Sequence, residues 1–178
     1  MKDGKTFGIY WNFPSLYHGV ARFEFDASLS EIQRAILRVL YSLNGCNVKE
    51  QLSHQVLSDV DVIFEFGVAD GLTFHYINEE TLNILLETVD EKTLPIIDFF
   101  CVIRYYSMRE GRRRALRFDY YFFRFIFGNS ELEVQVFHER GLRRISVGDL
   151  IGFLAERINL ELAGRGINPM ELKHLRAL

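Results

Sequence analysis

Apolar side chains recur at every second position along stretch after stretch of this chain, and that periodicity leaves few folds open. Val60, Val62, Phe64 and Phe66 alternate with Asp61 and Glu65; Leu72, Phe74 and Tyr76 alternate with Thr73 and His75; Leu132, Val134 and Val136 alternate with Glu131, Glu133 and Gln135. A period of two puts one set of side chains on each face of a pleated strand, so each stretch reads as a half-buried strand. Phe7, Ile9, Trp11 and Phe13 show the same alternation, as do Ala21, Phe23 and Phe25, and their proximity across Pro14-Ser15 predicts a hairpin. Ile96 to Tyr106 is apolar at both parities, as expected of a strand covered on both sides.

Between the strands the period changes to that of a helix. Ser28 with Glu31 forms a capping box before Leu29, Ile32, Ile36, Val39, Leu40 and Leu43, and Asn44-Gly45 supplies a left-handed stop. Asn78 caps Leu82, Leu85, Leu86 and Val89. Ser146 with Asp149 opens a helix through Leu150, Ile151, Leu154, Ile158 and Leu162, which Gly164 to Gly166 ends. Pro169 suits the first turn of a short terminal helix over 169–178, and a further short helix is expected around Lys49 to Leu57. Within Leu116 to Phe127 the polar parity slips, with Arg117 and Asp119 odd and Arg124 even, which predicts a β-bulge near Tyr120 to Phe123.

Three hairpin-plus-helix units follow: an α+β chain with a mainly antiparallel, curved or split sheet and its helices packed on one face. The expected organisation is a single compact domain over 1–178, with a weak internal repeat of 6–45 and 60–90, a third unit over 96–164 and the terminal helix. At 178 residues with 48% hydrophobic residues, the chain has ample material for such a core. No apolar run reaches the roughly 18 residues of a membrane helix, and no apolar segment follows Met1 to Lys5, so a cytoplasmic protein with no membrane partner is expected. Cys46 and Cys101 are read as free thiols.

Charge is distributed unevenly. Residues 1–103 carry 7 Lys+Arg against 15 Asp+Glu, whereas residues 104–144 carry 10 Arg against 5 Asp+Glu. The densest part is Arg109-Glu110-Gly111-Arg112-Arg113-Arg114-Ala115-Leu116-Arg117, at the predicted tip of a long hairpin and preceded by Tyr105 and Tyr106. Guanidinium groups hold phosphate through paired hydrogen bonds and stack on rings, and aromatic neighbours offer platforms for unpaired bases. The plainer reading is a solvated turn whose charges deter edge pairing. His138, Arg143 and Arg144, between a strand and a capped helix, form a second candidate that would hold a phosphate or carboxylate. Its plainer reading pairs Glu139 with one of those arginines. The histidines have no ligand spacing and the cysteines no neighbouring ligands, so neither a metal nor a cofactor is expected.

The charge asymmetry predicts a non-catalytic binding or assembly protein whose Arg-rich arm contacts an anionic partner: an acidic protein surface, a second copy of the chain, or nucleic acid. The alternative is a small enzyme with an anion-holding loop at His138 to Arg144. No motif carries a family resemblance.

Overall fold

The computed structural model describes residues 7–52 and 59–178. In chain order the elements are β1 (Gly19–Glu24), α1 (Leu29–Leu43), β2 (Val60–Asp70), β3 (Thr73–Tyr76), α2 (Glu79–Glu91), β4 (Ile96–Arg109), β5 (Arg112–Ala115), β6 (Asp119–Phe127), β7 (Glu131–Arg140), α3 (Val147–Gly164) and β8 (Glu171–Ala177). The strands form one curved, unclosed antiparallel sheet in the order β3-β2-β4-β6-β7-β1-β8, with β5 paired to β4. Among the described residues no helix is long and apolar enough to cross a membrane.

Alternation sets the two faces. Phe64 and Phe66 of β2, Phe99 and Cys101 of β4, Phe123 and Phe125 of β6, and Val134 and Val136 of β7 are buried on the helix side. Each such side chain contributes roughly 1.5–3 kcal/mol by leaving water. Ile32, Ile36 and Leu40 of α1 meet them, and Phe153 of α3 stacks 5.6 Å from Phe64. The expected caps are present: Ser28 accepts from the Glu31 amide while Glu31 reaches back, and Asn78 and Ser146 accept from Thr81 and Asp149. After α1 it is Gly45 that takes positive φ. Asn44 instead ties the helix end to the sheet, accepting from the Phe66 amide and donating to the Ile77 carbonyl.

Four expectations are corrected. Residues 7–13 do not form a hairpin with β1. They lie across the outer face, the one away from the helices, through isolated bridges of Phe7 to Asp70 and Tyr10 to Gly71. Tyr10 stacks on Phe122 at 5.4 Å, while Ile9 and Trp11 are exposed, so the inward residue falls off the expected parity. The repeat of 6–45 and 60–90 fails on the same ground, since only the second segment contains a hairpin. The terminal helix is instead the edge strand β8: Met170 is buried, its backbone held at both N–H and C=O by Asn159, and the chain then satisfies the free edge of β1.

Fourth, parity does not slip inside β6. Every odd residue from Asp119 to Phe127 is buried, and Asp119 is the polar one among them. The irregularity itself is where a bulge was expected, at the Tyr120–Tyr121 step of the β6–β7 register, and a second one precedes β6. Glu139 of β7 is the extra residue opposite Tyr120 and Tyr121, and one residue more separates Ala115 from Asp119 than separates Ile103 from Tyr106. Of the short helix expected around Lys49 to Leu57, residues up to Leu52 form turns and the rest lies outside the described residues, as does His54.

Candidate functional site

The arm is a continuation of β4 beyond the sheet. Among the described residues, pairing with β2 ends at Ser107, opposite Val60, and beyond it β4 is paired with β5, in the register Met108–Arg113 and Arg109–Arg112. Glu110 and Gly111 form the two-residue turn, both with positive φ, at 52° and 72°. That geometry matches the right-handed twist of the flanking strands. Arg109, Arg112, Arg113, Arg114 and Arg117 are all exposed, and none enters an ion pair among the described residues. Residues directly opposite in an antiparallel pair share a face, so Arg113 lies with Met108 and Tyr106. Its guanidinium carbon sits 4.0 Å from the centre of the Tyr106 ring.

Further arginine–aromatic pairs continue over the outer face. Arg104 lies 5.9 Å from the centre of Phe118, whose ring meets Tyr106 at 5.7 Å, and Arg140 lies 4.7 Å from the centre of Tyr120. Arg104 also donates to Glu65 at 3.0 Å. Farther along, Arg124 makes a two-pronged bond to the fully buried Asp98 and packs over Phe13.

Tyr105, expected beside the arm, is buried on the opposite face. Its hydroxyl donates to Asp119 at 2.8 Å, and burial together with that carboxylate pushes its pKa far above the ordinary tyrosine value. Tyr106 is therefore the ring adjoining the arm.

The second candidate, His138 to Arg144, closes around the same Asp119. This fully buried carboxylate accepts from Tyr105, from His138 Nε2 at 2.9 Å, and from the main-chain amides of Arg143 and Arg144 at 2.7 and 2.9 Å. Four donors offset the cost of burying a charge. Gly141 makes the approach feasible: its φ is +112°, and a Cβ there would fall on the Asp119 carboxylate and the Phe118 carbonyl. Arg143 takes φ 54° and donates through Nη1 to the Leu178 carbonyl at 3.0 Å, while Arg144 lies over the Tyr105 ring at 5.5 Å. The main-chain donors of this loop thus hold an anion belonging to the chain itself.

Of the polar residues on these strands, Glu65 pairs with Arg104 and His75 with Asp70, while Asp61 stands opposite Tyr106 in the β2–β4 pair. Cys101 is buried, and burial pushes its thiol pKa well up. Among the described residues no group of three or more His, Cys, Asp or Glu is placed to hold a metal ion. Sequence reasoning missed Asp98 and Asp119 as buried anions. The signal was a lone carboxylate in each of two runs otherwise dominated by apolar residues, Ile96 to Val102 and Asp119 to Phe123. Comparison with protein-family models, with curated proteins and with solved structures finds no match to this chain.

Proposed function

We propose that this is a non-catalytic binding protein that holds an anionic partner on the Arg109–Arg117 arm, and that the partner is single-stranded nucleic acid. The observation that carries the reading is the arm itself: five exposed arginines without ion pairs among the described residues, one of them, Arg113, packed over the Tyr106 ring. A guanidinium packed on a ring presents its other planar face for stacking and its N–H groups for phosphate. The neighbouring Tyr106, Phe118 and Tyr120, each partly exposed, favour a partner with planar bases over a purely acidic peptide. The enzyme reading of the His138–Arg144 loop is disfavoured because two of its amides and its histidine are committed to Asp119.

Anisotropy titrations with single strands of about 12 nucleotides test this, set against an abasic strand and polyglutamate of equal charge. Base stacking is worth about 1–3 kcal/mol per base, so the intact strand is expected to bind tighter than both controls. Polyglutamate binding as tightly would assign the arm to an acidic protein, and binding to none of the three would leave the arm as a solubilising turn.

A further inference from the structure

At the β1–β8 edge, on the outer face, lies a cleft of about 460 Å³ that the arm does not touch. That volume falls within the roughly 300–1,000 Å³ of small-ligand sites. Pairing sets its floor: Arg22 stands opposite His174 and Val20 opposite Arg176, and opposed residues share a face. The segment from Ser15 to His18 forms the wall. Arg22, His18, His174 and Arg176 line the cleft, no Asp or Glu side chain among the described residues does, and Leu16, Tyr17 and Val20 add an apolar portion; Leu178 also lines it, its main-chain oxygen engaged by Arg143.

His18 is the most constrained of these groups. Its main chain is tied at both ends, its amide to the Val136 carbonyl and its carbonyl to the Leu178 amide, each at 2.7 Å. Its ring packs on Phe137 at 4.8 Å, and Nδ1 accepts the main-chain N–H of His138 at 2.9 Å. The neutral ring therefore carries its proton on Nε2, a fixed donor. Burial, aided by Arg143 and His138, lowers the His18 pKa and favours that neutral form. Glu133 accepts from Arg22 Nε at 3.0 Å, which orients that guanidinium and leaves its terminal nitrogens for a ligand. Arg176 enters no ion pair among the described residues.

We propose that this cleft binds a small organic phosphate, with the phosphate oxygens held by Arg176, Arg22, His174 and the Nε2–H of His18 and the organic body laid against Leu16, Tyr17 and Val20. Donors arriving from β1, β8 and the Ser15–His18 segment suit the three peripheral oxygens of a phosphate ester better than the two of a carboxylate. The site is independent of the arm.

The test is a titration of the intact protein with phenyl phosphate, read by the ring nitrogen signals of His18 and the Nε signal of Arg176. Saturable shifts at both are expected, with phenylacetate and inorganic phosphate each weaker by about tenfold, and with Arg176→Ala and His174→Ala each weakening phenyl phosphate about tenfold. Both substituted residues are exposed, so the fold is retained. The triple variant Arg112→Ala, Arg113→Ala, Arg114→Ala is expected to bind phenyl phosphate as wild type does, which separates this site from the proposed function. No saturable shift up to ~10 mM, or unchanged affinity in Arg176→Ala, overturns the proposal. So does a 5′-phosphorylated oligonucleotide that occupies the same signals more tightly than phenyl phosphate, since it would make the cleft part of a nucleic-acid track.

Discussion

Two arginine-rich segments stand at the same end of the sheet and meet opposite fates. In the arm, Arg109 to Arg117 project past the last β2 partner of β4, and their guanidinium groups face solvent or a tyrosine ring. In the segment from His138 to Arg144, two backbone amides, a histidine and a glycine that admits no side chain are drawn in around Asp119, and the Arg143 guanidinium is bonded to a main-chain carbonyl. Similar composition thus produces a free cationic surface in one place and an internal anion cradle in the other. What separates them is the position of one carboxylate, which the irregular step between Ala115 and Asp119 turns onto the buried face.

The largest effect is expected on removing that carboxylate. Asp119→Ala leaves a tyrosine hydroxyl, a histidine and two amides without their partner, and should cost about 3–5 kcal/mol, comparable to breaking a buried ion pair. Urea unfolding measures it. A loss under about 1 kcal/mol would mean that water replaces the carboxylate and that the loop is not built around it. Gly141→Ala comes next: the strained φ alone costs roughly 1–3 kcal/mol, and the contact of the new Cβ with Asp119 adds to it. Arg112→Ala, Arg113→Ala and Arg114→Ala together should change unfolding free energy by no more than about 0.5 kcal/mol per site, because all three are exposed and enter no ion pair among the described residues, and the one ring contact, Arg113 over Tyr106, lies at the surface.

Acid sharpens the comparison from the loop side. His18, whose Nδ1 accepts from the His138 amide, has a pKa below its ordinary 6.5 through burial, with help from Arg143 and His138. Above 6.5 the ring is neutral in both folded and unfolded chains. As pH falls through that value the unfolded chain takes the proton first, so stability falls until the lower folded pKa is passed. The urea midpoint is expected to drop as pH falls through 6.5, and His18→Gln should remove part of that drop. The arm variant should show the same drop as wild type.

Local signals made much of this legible. The Ser28–Glu31 box, Asn78 and Ser146 mark helix starts because caps are determined within one turn, and β2 and β7 follow from alternation because one face is buried over most of β2 and from Leu132 to Val136 of β7. The arm was visible as Glu110-Gly111 between charged strands. What escaped depends on distant partners. Residues 171–177 become a strand because β1 has an open edge, and Tyr10 turns inward because its amide bonds to the buried Asp98, 88 residues away. His138 and the main-chain amides of Arg143 and Arg144 hold a carboxylate of the chain itself, Asp119, 19 to 25 residues earlier, which no local pattern reveals. The β1–β8 cleft was hidden for the same reason as β8.

The free-arm reading is tested most directly by the salt dependence of single-strand binding in three proteins: wild type, the Arg112, Arg113, Arg114 triple-alanine variant, and Arg143→Ala with Arg144→Ala. Contacts to about four phosphates give a slope of log affinity against log salt of roughly −3 in wild type, and loss of three arm arginines should flatten it by about 2. The loop variant should keep the wild-type slope. Equal flattening by both variants, or an arm variant that binds like wild type, would contradict the division between a free arm and a committed loop.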